Sequence, residues 1–214
     1  METKLLFVRH GQSVANIENE WGGHCDYDLT ETGEKQAEIM ARFLNEKYKC
    51  DAVFSSDLIR AQKTATAIAK PLGLTVKCDN RLREIYGGLW DGMTFDFIAE
   101  NYEKEFLLWQ KDMSMVHPPQ GESVYDLQER AMQAVREIAE NNYGKTVAVV
   151  AHRVIFRTLQ CVWQNIPLSD INKCEWLANC SVSEVLYKDG KLLPVAVGQA
   201  DFMGEYVTQS HGKM

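Results

Sequence analysis

Nowhere does this chain approach the ~18 consecutive apolar residues of a membrane-spanning helix. The opening METKLLFVRHG has only the short apolar run Leu5 to Val8 before Arg9, too short for the core of a secretion signal. The expectation is therefore a cytoplasmic protein with no membrane partner. The six cysteines (Cys25, Cys50, Cys78, Cys161, Cys174 and Cys180) never form a C-x-x-C pair. That lack excludes the common zinc-ribbon and thioredoxin-like motifs and reads as free thiols in a reducing compartment. Basic excess is missing too, with 23 Lys and Arg against 30 Asp and Glu and a net charge of −7. A nucleic-acid partner would need a basic face, so any anion site has to be local. His24, His117 and His211 show neither H-x-x-x-H nor H-E-x-x-H spacing, which disfavours a metal-dependent hydrolase. No metal and no cofactor are expected.

What is present is the composition of an ordinary globule, 214 residues of which 45% are hydrophobic, enough for one domain spanning the whole chain. Strand and helix patterns alternate along it. The apolar run Leu5 to Val8 reads as a buried strand. LTETGEKQAEIMARFLNEKY then places Ala37, Met40, Ala41 and Leu44 on one helical stripe, with Thr30 or Thr32 as its cap. DAVFSS reads as a second strand, and SDLIRAQKTATAIAKPLG as a helix capped by Ser56 or Asp57 and stopped by Pro71 and Gly73. After a weak strand in LTVKCDN comes a Gly-interrupted loop, a helix over TFDFIAENYEKEFLLWQKDM and a breaker-rich loop. Ser123 and Asp126 form a capping signal for the next helix, which ends near Gly144. TVAVVA, continuous and apolar, suits a central parallel strand covered on both faces. A helical stripe from Ile155 to Ile166 ends at Pro167, and Asp189 and Gly190 suit the type I′ turn of a final hairpin. The expected fold is a three-layer α/β sandwich with a mostly parallel central sheet flanked by helices.

In such sheets ligands bind outside the carboxyl ends of the strands. Arg9 and His10 leave the carboxyl end of the first strand, and His152 leaves that of TVAVV. Both histidines should meet in one crevice, and Arg60, just after the second strand, can reach the same rim. Guanidinium forks suit a phosphoryl group, which offers several oxygens to bidentate donors. Glu84 supplies a carboxyl suited to general-acid work, and Asn16 a neutral amide for a remaining oxygen. Taken singly each has a plainer reading: a structural or solvated histidine, a surface Glu84, an Arg60 paired with Asp57 or a neighbouring carboxylate on its helix face. Their convergence on one sheet edge favours the functional one.

VRHGQS resembles the R-H-G motif of the histidine phosphatase superfamily, the phosphoglycerate-mutase-like enzymes. The likeness continues in order through LTETGEKQA, SSDLIRAQKTA, LREIYGGLWDG, PQGES and VVAH. It implies a metal-independent phosphomonoesterase acting on a small phosphorylated metabolite, as a monomer or homodimer. By the resemblance, His10 is the nucleophile, Arg9, Arg60 and His152 form the phosphate pocket, and Glu84 protonates the leaving oxygen. The region from about 93 to 122 becomes a substrate-shaping insertion within one histidine-phosphatase domain over 1–214. Two departures stand out. Gly87 occupies the place where the glycolytic mutases carry a tyrosine, which favours a phosphatase over a mutase, and Arg153 stands where the family often has glycine. A non-catalytic phospho-ligand-binding member is the other alternative, although all five core residues are present.

Overall fold

In the first strand successive side chains take opposite sides, as the pleat requires. Leu5 and Phe7 join one hydrophobic cluster, while Leu6 and Val8 join another. The computed structural model, which describes residues 2–208, therefore has a core on each face of its sheet. His211 lies outside the described residues. Strand β1 (Glu2–Arg9) is followed by a short helix α1 (Val14–Ile17), which sequence periodicity did not reveal, and by α2 (Glu31–Lys47). Then come β2 (Ala52–Ser55), α3 (Ile59–Ala69) and β3 (Val76–Cys78). Helices α4 (Phe95–Asn101), α5 (Glu103–Lys111) and α6 (Val124–Glu140) precede β4 (Thr146–Ala151) and α7 (Arg153–Trp163). The hairpin β5 (Val182–Lys188) and β6 (Lys191–Gln199) closes the series.

The six strands lie in the order β3-β2-β4-β1-β5-β6. The first four are mutually parallel, and β5 and β6 are antiparallel, so the sheet is mixed with a parallel centre. Helices α6 and α7 pack on one face with Leu5, Phe7, Val147 and Val149. Helices α2 and α3 pack on the other with Leu6, Val8, Ala148 and Val150. These are the three layers expected of the sequence. Asp189 and Gly190 both have positive φ, 51° and 76°, as a type I′ turn demands.

Local departures have local causes. Neither Ser56 nor Asp57 caps α3 at its first residue. The chain stays extended to Leu58, and the Ile59 N–H donates instead to Asp26 Oδ1 at 2.6 Å. Asp57 is bound in a fork to Arg83, with contacts of 2.6 and 2.5 Å. The helix expected over residues 94–113 is broken at Tyr102, where φ and ψ are −132° and 42°. The break lets Ile98, Phe106 and Trp109 all enter the same core. Helix α7 stops at Trp163 and α6 at Glu140, each short of its expected end.

The block LTETGEKQA has a specific task. Thr30 caps α2 by accepting from the Gly33 N–H at 3.0 Å, and Gln36 Oε1 accepts from the Gln12 N–H at 2.8 Å. Gly33 lies so close to the loop after β1 that a Cβ there would run into the Gln12 carbonyl oxygen. Helix α2 thus presses directly on the loop that carries His10. Gly33→Ala should cost about 1–3 kcal/mol by overpacking against backbone and lower activity with it. Paired thermal melts and phosphate-release rates check this, and an unshifted melt with full activity would show that the loop has slack.

Candidate active site

The parallel register of β1 and β4 pairs Arg9 with Ala151, so the next residues, His10 and His152, emerge side by side. Their ring centroids are 5.1 Å apart. The His10 N–H donates to the Ala151 carbonyl at 3.0 Å, and the Cys180 N–H reaches the Arg9 carbonyl at 3.1 Å. The strand end is thereby fixed from both sides.

The His10 Nδ1 lies 2.7 Å from the Gly11 carbonyl oxygen. A carbonyl only accepts, so Nδ1 carries the proton and Nε2 keeps its lone pair. Burial first, then the charges of Arg60 and Arg9, push the His10 pKa well below the usual imidazole value. Burial, Arg60 and His10 do the same to His152. Both rings are neutral at neutral pH. His152 is fully buried and its two ring nitrogens have no partner.

Arg60, only 3% exposed, donates to the Gly23 and Cys25 carbonyls at 2.8 and 2.7 Å. Asp57 lies before the helix and is bound to Arg83, and Arg60 donates to backbone carbonyls, so the expected pairing of Arg60 with Asp57 is not formed. Arg9 donates to the Leu177 carbonyl at 2.5 Å, its Nε is unpartnered, and burial lowers its pKa to about 10. Thr64 ties the two halves together: its Oγ1 accepts from the Gly11 N–H at 3.1 Å and donates to the Arg60 carbonyl at 2.9 Å.

Glu84 is not a surface charge. It is 9% exposed, and its carboxylate accepts from the N–H groups of Arg153, Val154 and Ile155 at 3.0 to 3.2 Å. A carboxylate on the first turn of α7 meets otherwise unpaired donors and the positive end of the helix. Its backbone is fixed by Arg130, which donates to the carbonyls of Arg81, Arg83 and Glu84, each at 2.8 Å. Arg130 is in turn paired with Glu122, whose Oε1 accepts from the Tyr86 N–H at 2.8 Å. That is what the PQGES block does.

A cavity of about 640 Å³ joins these groups. Arg9, His10, Asn16, Arg60, Glu84 and Arg153 stand in its wall, and His152 lies behind it, its ring against that of His10. Asn16 Oδ1 accepts from the Ser13 N–H at 3.0 Å and from Asn179 Nδ2 at 3.2 Å. Ile17, Trp21, Phe95 and Trp109 give the cavity an apolar part to its lining. Asn179, which also donates to the His10 carbonyl at 3.1 Å, and Thr208 line it as well. Nothing in their local sequence marks either residue, because the chain brings them in from far downstream.

Among the described residues no group of three or more His, Cys, Asp or Glu is arranged to hold a metal ion. No helix among them is long and apolar enough to cross a membrane.

Neutral imidazoles beside desolvated guanidinium groups at the carboxyl ends of parallel strands make a site suited to phosphoryl transfer. The family model of the histidine phosphatase superfamily (branch 1) matches residues 5–199. The chain belongs to that family, and it is a phosphatase. Phosphoserine phosphatase 1 of Hydrogenobacter thermophilus is 30% identical over 211 residues, covering 97% of this chain and 98% of that protein. A glucosyl-3-phosphoglycerate phosphatase of Mycobacterium tuberculosis is 30% identical over 190 residues, covering 85% of this chain and 84% of its own. The solved structure of Bacillus stearothermophilus YhfR superposes with a TM-score of 0.90 at 29% identity, covering 94% of this chain and 99% of that one.

Proposed function

We propose that the chain is a cytoplasmic, metal-independent phosphomonoesterase, monomeric or homodimeric, that hydrolyses a small phosphorylated metabolite through a phosphohistidine at His10. The observation that carries this reading is the His10 ring, whose Nδ1–H is tied to Gly11 while Nε2 remains a free nucleophile beside two arginines. Nε2 attacks phosphorus as the ester P–O bond breaks, and Glu84 gives its proton to the leaving oxygen. Arg9, Arg60 and the single N–H of the neutral His152 ring meet the charge on the equatorial oxygens. Asn16, with its Oδ1 occupied, offers its Nδ2 to one of them. Water then attacks phosphorus, the N–P bond breaks, and Glu84 recovers a proton. The relatives' names, phosphoserine phosphatase and glucosyl-3-phosphoglycerate phosphatase, support a small phosphorylated metabolite as substrate. The stretch from about 93 to 122 supplies Phe95 and Trp109 to the leaving-group wall and is proposed to shape it within one domain. Phosphate release from p-nitrophenyl phosphate, insensitive to EDTA, is the expected result. Inhibition reversed by a divalent cation would overturn the metal-independent mechanism.

The mutase alternative meets a steric obstacle. A side chain at Gly87, where mutases carry tyrosine, would strike Trp21 Nε1 and Asp91 Oδ1. Incubation with 3-phosphoglycerate and a trace of 2,3-bisphosphoglycerate should give free phosphate and almost no 2-phosphoglycerate. Efficient isomerisation would restore the mutase reading.

A further inference from the structure

Arg153 has no role in the scheme above, yet it turns into the cavity wall. Its guanidinium carbon lies 3.8 Å from the centroid of the Trp176 ring, and that of Arg157, one turn on, lies 3.7 Å from the same centroid. The two arginines are otherwise unlike. Arg157 donates to the Ile171 and Cys174 carbonyls at 2.7 and 3.1 Å, so its charge holds the chain after α7 in place. The Nε and Nη2 of Arg153 are buried with no partner. Burial, and then repulsion from Arg9, bring its pKa down to about 9, which leaves it cationic at neutral pH. The nearby carboxylate, Glu84, already spends both oxygens on the α7 backbone.

A buried cation without a counter-charge is strongly unfavourable, and a cavity is where an anion can supply it. The scissile phosphoryl group already has Arg9, Arg60 and the two histidines. Nε and Nη2 lie on one edge of the guanidinium, and that edge matches the two oxygens of a carboxylate. Stacking on Trp176 holds the plane, so little freedom is lost on binding. His117, in the loop before α6, does not compete: it is exposed, lies 4.0 Å from Asp126 and is absent from the cavity wall.

We propose that Arg153 forms a carboxylate subsite, and that the enzyme selects phosphomonoesters carrying a carboxylate close to the phosphate. This rests on the phosphatase reading and deepens it. The test compares 3-phosphoglycerate with glycerol 3-phosphate, which differ in carboxylate against hydroxymethyl, in the wild-type enzyme and in Arg153→Gln and Arg153→Lys. Wild type should favour 3-phosphoglycerate in kcat/KM by on the order of 10- to 100-fold, the range of a charged hydrogen bond. Arg153→Gln should bring that ratio near one, mainly through KM for 3-phosphoglycerate, and Arg153→Lys should restore it only partly because the bidentate edge is lost. On wild type alone, 3-phosphoglycerate should compete against p-nitrophenyl phosphate at lower concentration than glycerol 3-phosphate, which keeps the test independent of how the variants fold. A wild-type ratio near one, or a ratio that survives Arg153→Gln, overturns the carboxylate subsite. A preference for propane-1,3-diol bisphosphate with no preference for 3-phosphoglycerate overturns it as well. Failure to hydrolyse p-nitrophenyl phosphate is a separate result that strikes the phosphatase reading.

Discussion

Replacing His10 with alanine should lower phosphate release by more than about four orders of magnitude, since no other group at the site can form the covalent intermediate. The two backbone bonds that fix this strand end, the His10 N–H to Ala151 and the Cys180 N–H to Arg9, do not involve the ring. The variant should therefore fold and give a clean loss. Rapid quench of the wild-type enzyme with radiolabelled substrate should trap one label per chain that acid removes and alkali does not. A label that survives acid, or that persists in His10→Ala, would assign the nucleophile to another residue.

Glu84→Gln should separate substrates by their leaving groups. An alkoxide needs a proton as it departs and a nitrophenolate scarcely does, so glycerol 3-phosphate turnover should fall by about 10²–10⁴. Turnover of p-nitrophenyl phosphate should fall by less than about tenfold. Equal losses on both would place the proton on some other group. The geometry adds a condition on this experiment. To act as an acid, Glu84 must carry a proton on one oxygen and turn it to the leaving group while the other stays on the Arg153 and Val154 N–H groups. In the glutamine variant an amide NH₂ replaces one acceptor next to those donors, and the melt should drop even where p-nitrophenyl phosphate is still cleaved. A melting curve beside each rate distinguishes a lost proton from a loosened α7.

The histidines were legible from sequence because their positions follow from two strand ends and a rule about where parallel sheets bind ligands. TVAVVA and Leu5 to Val8 announce themselves as core strands, and parallel register does the rest. Arg60 was legible as a rim residue, but its freedom from Asp57 was not, since that depends on Arg83 arriving from a loop 26 residues away. The same limit hid the Asp26 cap on α3 and the Arg130 contacts beneath Glu84. Each is a side chain reaching backbone remote in sequence, with no periodic signature. Arg153 could be singled out as unusual by its neighbour His152. Its direction could not, because Trp176, which holds it flat, lies beyond the whole of α7.

Tyr86 and Glu122 are bonded in both directions: the Glu122 N–H donates to the Tyr86 carbonyl at 2.9 Å, and the Glu122 carboxylate receives the Tyr86 N–H at 2.8 Å. The excursion between them, which carries α4 and α5, thus leaves from and returns to a single knot, and Arg130 anchors that knot to the carbonyl of Glu84. Between the two ends of the knot, Ile98, Phe106 and Trp109 are core residues, so an exchanged segment has to keep those packing positions, whereas the half-buried Phe95 at the cavity is open to change. Grafting a segment that keeps these core positions and is joined at the same knot is a practical route to altering the cavity wall without moving the Glu84 carbonyl that Arg130 holds.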